Sequence, residues 1–196
     1  MLKDLLNGWQ IILASGSPRR QDFFKALDIP VKIQVKPVKE VYPDNLKAEE
    51  ITNFLAELKA EVFKNDLEEK EILITSDTIV YNEGTALGKP VDYAEAMDML
   101  SSFSGKQHEV ITSVCFTTAK LQKTIFNKTQ VHFRKLEPEE ITYYIEKFKP
   151  YDKAGAYAIQ EWIGLVGIDK IEGSYFNVVG LPTNLVYTTL KELVKN

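Results

Sequence analysis

The chain reads as an α/β protein built on a mixed, twisted sheet flanked by helices, and two features of its 196 residues carry that expectation. Strands and helices alternate through the first half. Two hairpin-like strands follow later, so the sheet should be mixed rather than purely parallel.

The elements follow in chain order. Ile11-Ile12-Leu13-Ala14 is a short apolar run that ends in Ser15-Gly16-Ser17-Pro18, and Arg19 to Leu27 places Phe23, Phe24 and Leu27 at helical spacing. This is a strand, a tight turn and a helix. Pro18 suits the first helical turn, and Ser17 can cap it. Val31 to Val38 alternates as a half-buried strand. Glu49 to Lys64 carries Ile51, Phe54, Leu55, Leu58 and Val62 on one stripe and predicts an amphipathic helix.

Glu71 to Ser76 is a β-rich run that enters Asp77-Thr78 and continues through Tyr81 to a turn at Asn82-Glu83-Gly84. Asp92 caps a helix through Leu100 with Ala94, Met97 and Leu100 inward. Glu109 to Thr118 and Lys123 to Phe133 form two more strands. Pro138 to Phe148 is a helix with Ile141, Tyr144, Ile145 and Phe148 on one face. Beyond Pro150, glycines punctuate short apolar runs until a closing helix from Pro182 to Val194. No internal repeat or linker divides the text, so residues 1–196 read as one large domain or two lobes sharing a core.

Bulk properties narrow the class. Hydrophobic residues make up 44% and charged residues 27%, as expected of a globular chain. The formal net charge of -4 argues against a protein that holds a nucleic-acid polymer by counterion release. Cys115 is the sole cysteine, which excludes an intrachain disulfide and suits a reducing compartment. Ile11 to Ala14 is too short for a signal or a membrane span. The expectation is a cytoplasmic protein with no membrane partner.

Several segments invite chemistry. Ser15-Gly16-Ser17-Pro18-Arg19-Arg20 lies at a strand-to-helix turn, where backbone N–H groups and two guanidinium groups would suit phosphate oxygens; an ordinary capped turn with solvated arginines is the plain alternative. Asp77 sits with Thr78 inside an apolar strand, where a carboxylate is costly unless paired, metal-bound or working; capping a loop is the plain alternative. Leu87-Gly88-Lys89-Pro90 offers a lysine on a rigid turn, as a phosphate ligand or a solvated side chain. In Asp152-Lys153-Ala154-Gly155-Ala156-Tyr157-Ala158-Ile159-Gln160, small residues allow close approach of a ligand, and Gln160 can read a base edge or lie on the surface. His108 and His132 lack ligand spacing. Glu40 and Lys59 attract no notice on local grounds.

Taken together with Ser76-Asp77-Thr78-Ile79-Val80 and the stretch from Gly173-Ser174-Tyr175 to Gly180-Leu181-Pro182, these motifs resemble the Maf family in order and spacing, from about Ile11 to the last helix. The resemblance implies a nucleotide pyrophosphatase of two lobes with a deep cleft, similar to the inosine triphosphate pyrophosphatases, and a divalent metal, magnesium or manganese. It implies Asp77 as the catalytic carboxylate that activates water, and Glu40 with Asp77 at the metal. Ser15, Arg19, Arg20, Lys59 and Lys89 fall to a nucleoside triphosphate substrate. The set Arg19, Thr78 and Gln160 resembles the subgroup acting on dTTP and UTP. Glycines are common in the family where Ala158 and Glu161 stand here, and Glu161 places a charge beside Gln160. Family members are often homodimers. Rival readings are a pyrophosphatase for another base, a nucleotide-binding regulator with a vestigial centre, and a nucleic-acid-binding module.

Overall fold

The computed structural model describes residues 1–195. Its strands are β1 (Gln10–Leu13), β2 (Val31–Ile33), β3 (Glu71–Asn82), β4 (Thr85–Leu87), β5 (Gln107–Thr117), β6 (Gln122–Phe133) and β7 (Ile168–Glu172). The helices are α1 (Leu2–Leu5), α2 (Pro18–Ala26), α3 (Glu49–Glu61), α4 (Tyr93–Phe103), α5 (Pro138–Phe148), α6 (Trp162–Gly167), α7 (Tyr175–Val179) and α8 (Thr183–Leu193), with a 3-10 turn at Ala154–Ala156. The strand order is β2-β1-β3-β5-β6-β7, with β4 beside β3. β1 runs parallel to β2 and β3, whereas the β3–β4 and β6–β7 pairs are antiparallel. The fold is therefore the expected mixed sheet with flanking helices.

The chain forms two compact units: residues 1–77, 112–127 and 180–196 in the first, and 78–111 with 128–179 in the second. In the first unit, strand alternation sorts the helices onto faces. Ile11, Leu13, Ile72 and Ile74 meet Phe24 of α2 and Val186 and Leu190 of α8. The intervening Ile12 and Leu73 meet Ala56 and Ala60 of α3 and Phe63 beyond it. Each large apolar side chain so buried contributes about 1.5–3 kcal/mol. The second unit has one continuous core, in which Val80, Val110, Val131 and Phe133 pack with residues of α4, α5 and α6.

Helix starts follow the sequence signals. Ser17 caps α2 ahead of Pro18, and Asp92 accepts the Glu95 N–H at 2.9 Å. Four differences from the expected elements have physical causes. β2 stops at Ile33 although its alternation runs to Val38, because only Val31 to Ile33 find partners on β1. α4 turns Ala96, Met99, Leu100 and Phe103 inward, and Ala94 is exposed, since Phe103 outweighs Ala94 in fixing the buried stripe. In α3, Ala56 and Ala60 are buried and Val62 is exposed; small residues let that helix approach the sheet. β4 and β7 are short partner strands whose few residues carry no strong alternation.

Candidate active site

In the first unit, the end of β1 and the start of α2 bring Ser15, Arg19 and Arg20 together. Ser15 is buried, and its hydroxyl accepts from the Ser17 N–H at 3.3 Å and from Arg20 Nη1 at 3.4 Å. Arg20 Nη1 also donates to the Ser76 carbonyl at 3.0 Å, and its Nε to the Gly180 carbonyl at 2.9 Å. The guanidinium thus ties the β1–α2 turn, the strand before Asp77 and the approach to α8. Burial pulls its pKa below the ordinary value, the charges of Asp77 and then Glu40 work in the opposite direction, and neighbouring Arg19 adds to the lowering. Arginine keeps its proton throughout.

Asp77 lies within β3 and is 7% exposed. Its Oδ1 accepts from Lys59 Nζ of α3 at 2.7 Å. The same ammonium stands 3.1 Å from Glu40 Oε2, whose side chain is half exposed in the irregular segment after β2. One lysine therefore joins two carboxylates, and the trio carries one net negative charge when all are ionised. Arg20 supplies a further positive charge in their field.

Two hard oxygen donors converging on one cation suit magnesium or manganese, which take one or two carboxylates and fill the remaining positions with substrate phosphates and water. Among the described residues no group of three or more His, Cys, Asp or Glu forms a metal centre. Glu40 and Asp77, which meet at the Lys59 ammonium, are the carboxylates here that could hold such an ion.

In the second unit, Thr78 continues β3 in a half-buried position. Lys89 and Gln160 are both exposed. Their segments are linked: the Gly155 N–H donates to the Gly88 carbonyl at 3.0 Å. Gly155 has φ +67°, and a Cβ there would lie 2.7 Å from a Val80 methyl, so glycine meets both a conformational and a steric demand. Gln160 stands in a tight turn closed by the Glu161 N–H donating to the Ala158 carbonyl at 3.0 Å.

Two residues around that turn escaped functional notice in the sequence. Tyr144 was assigned to the apolar face of its helix, and it is fully buried, yet its hydroxyl donates to the Glu161 carboxylate. Lys153 is 8% exposed and pairs with Asp152 at 2.7 Å and Glu161 at 3.3 Å. A lysine inside an otherwise small and apolar run was the signal for this pairing. His108 is buried with Nε2 2.7 Å from the Tyr157 hydroxyl, and burial pulls its pKa down to about 3, so it is a neutral core histidine. His132 contacts Glu172 at 3.0 Å. Neither histidine joins the Asp77 group.

A family model described as Maf-like protein matches residues 10–193. A dTTP/UTP pyrophosphatase of Christiangramia forsetii is 66% identical over 196 residues, with 100% of each chain covered. A second dTTP/UTP pyrophosphatase, from Flavobacterium johnsoniae, is 57% identical over 194 residues, covering 99% of this chain and 100% of its own. Among solved structures, the Ham1 protein of Staphylococcus aureus matches with a TM-score of 0.54 at 16% identity, over 94% of this chain and 99% of that one. That last likeness is one of fold. No helix among the described residues is long and apolar enough to cross a membrane.

Proposed function

The chain belongs to the Maf family, and on that premise we propose that it hydrolyses dTTP and UTP to the monophosphate and pyrophosphate with a divalent metal, in the cytoplasm. The observation that carries this reading is the buried Asp77 carboxylate, joined through Lys59 to Glu40. An acid, an ammonium and a second acid gathered at one point match the needs of phosphoryl chemistry, which asks for positioned water and neutralised phosphate charge.

Asp77 takes a proton from water as its oxygen attacks the α-phosphorus. The new P–O bond forms as the bond from the α-phosphorus to the bridging oxygen breaks, and that electron pair leaves with pyrophosphate. Lys59 holds Asp77 in place, and its charge also offsets that of the phosphates. Ser15, Arg19, Arg20 and Lys89 are assigned to the triphosphate, with Arg20 in addition fixing the turn that presents Ser15. A divalent ion held by Glu40 and Asp77 would polarise a phosphoryl oxygen when bound. Thr78 and Gln160 are assigned to the base, where an amide supplies one donor and one acceptor. The high identity to two relatives named dTTP/UTP pyrophosphatase supports the base assignment.

Pyrophosphate release from dTTP, UTP, CTP, GTP and ATP, each with magnesium, manganese or chelator, tests the reading. Metal-dependent release favouring dTTP and UTP is expected. Equal release from all five would remove the base assignment, and undiminished release with chelator would remove the metal from Glu40 and Asp77.

A further inference from the structure

A glutamine alone does not choose between uracil and cytosine. The uracil edge offers an N–H donor beside a carbonyl acceptor, and the cytosine edge offers the reverse. Rotating an amide by half a turn exchanges its own donor and acceptor, so either base can be matched. Discrimination needs a support that fixes where the amide stands and how it is turned.

The second unit contains a support for the backbone from which Gln160 projects, which fixes where its amide can stand. The Ala158 N–H donates to the Tyr144 hydroxyl at 3.2 Å, and that hydroxyl donates to Glu161. Glu161 Oε1 lies 3.3 Å from the buried Lys153 ammonium. The Glu161 N–H returns to the Ala158 carbonyl, and the Gly164 N–H donates to the Glu161 carbonyl, each at 3.0 Å. A Cβ on Gly164 would fall 1.9 Å from the Ile159 carbonyl oxygen, so the first turn of α6 rests directly on the backbone preceding Gln160. Ala158 and Glu161 are held through the one Tyr144 hydroxyl, Ile159 lies against Gly164, and Gln160 itself is exposed. Burial first, and the Glu161 carboxylate second, push the Tyr144 phenol well above its ordinary pKa, which keeps it a donor across the working pH range.

We infer that Tyr144, Glu161 and Lys153 form a brace that sets pyrimidine discrimination by fixing the turn that presents Gln160. Tyr144 and Glu161 are positioning residues. The inference rests on the base-reading role proposed for Gln160. The brace explains how a charge beside the reading amide is accommodated: the carboxylate is turned to Tyr144 and Lys153.

Kinetics of Tyr144→Phe, Glu161→Gln and Gln160→Ala on dTTP, UTP and dCTP test it. Tyr144→Phe should lower the ratio of kcat/KM for dTTP over dCTP roughly tenfold, chiefly through KM for dTTP, with kcat held within about twofold. Glu161→Gln retains an acceptor for the phenol and should keep most of the ratio. Amide exchange at Ala158 should quicken in Tyr144→Phe. If Gln160→Ala changes the ratio while folded Tyr144→Phe leaves it intact, the brace is overturned and the base-reading role stands. If Gln160→Ala leaves the ratio intact, both fall. Should Tyr144→Phe not fold, Glu161→Ala gives the same readout at a side chain 24% exposed, with the same lowered ratio expected and an unchanged ratio overturning the brace.

Discussion

Each of the two units holds a lysine between two carboxylates, one of them largely in solvent. In the first, Lys59 lies between Asp77 and Glu40, with side chains 10% and 53% exposed. In the second, Lys153 lies between Glu161 and Asp152, with side chains 24% and 65% exposed. The charge pattern is the same and the mechanical setting is not. Asp77 sits in a long strand whose pairing holds the backbone whatever its side chain does. Glu161 sits at the end of a turn whose backbone has few ladder bonds, and its carboxylate ties that turn to Tyr144. The lesson is that an acid on a paired strand is not needed to hold its own backbone, while one on a turn helps to hold that turn.

The sharpest way to break that comparison is to remove the charge from each side. Asp77→Asn should cut turnover about 10³-fold or more, the size expected for losing a general base, with a melting temperature unchanged or raised. A folded Asp77→Asn enzyme with normal turnover would move the chemistry elsewhere. Lys153→Met should do the reverse. Leaving Glu161 without its cation should cost about 2 kcal/mol, a fall of roughly 4–8 °C in melting temperature for a chain of this size, with kcat on dTTP little changed. A stable Lys153→Met protein with kcat collapsed would erase the distinction between the units.

The smallest effect is expected at a pair that belongs to neither group. Arg134 holds Glu140 by two hydrogen bonds, at 2.9 and 2.6 Å, and the Glu137 N–H adds a third at the start of α5, at 2.9 Å. Arg134 first, and that backbone bond second, bring the Glu140 pKa down to about 2 from 4.5. A depressed carboxylate stabilises the fold above its unfolded pKa and loses that contribution as pH falls through its folded one. Wild type should therefore exceed Glu140→Gln in stability by about 1 kcal/mol at pH 7, given the partial exposure of the pair. The gap should close between pH 4.5 and about 2. A gap independent of pH would show that packing, and not charge, is what the pair provides.

Much of the fold was legible because local signals and tertiary demands agree. Ser17 with Pro18 marks the start of α2, Asp92 that of α4, and the apolar run from Glu71 is the long strand β3. Legibility failed where pairing or packing decides. β7 exists because it pairs with β6, and its five residues show no alternation strong enough to announce it. The inward face of α4 depends on Phe103, which lies past Leu100, where the helix was expected to end. At the site, Asp77 stood out as an acid in an apolar strand. Glu40 and Lys59 did not, because no local pattern distinguishes them from surface residues, and only motif order drew them in. The Tyr144 brace was hidden for a different reason: helical spacing put the ring in the core and says nothing about where its hydroxyl reaches.

The account turns on water activated at Asp77 attacking the α-phosphorus. Hydrolysis of dTTP in water enriched in oxygen-18, with both products weighed by mass spectrometry, tests this most directly. The label should appear in dTMP and be absent from pyrophosphate; label in pyrophosphate would place the attack on the β-phosphorus and contradict it.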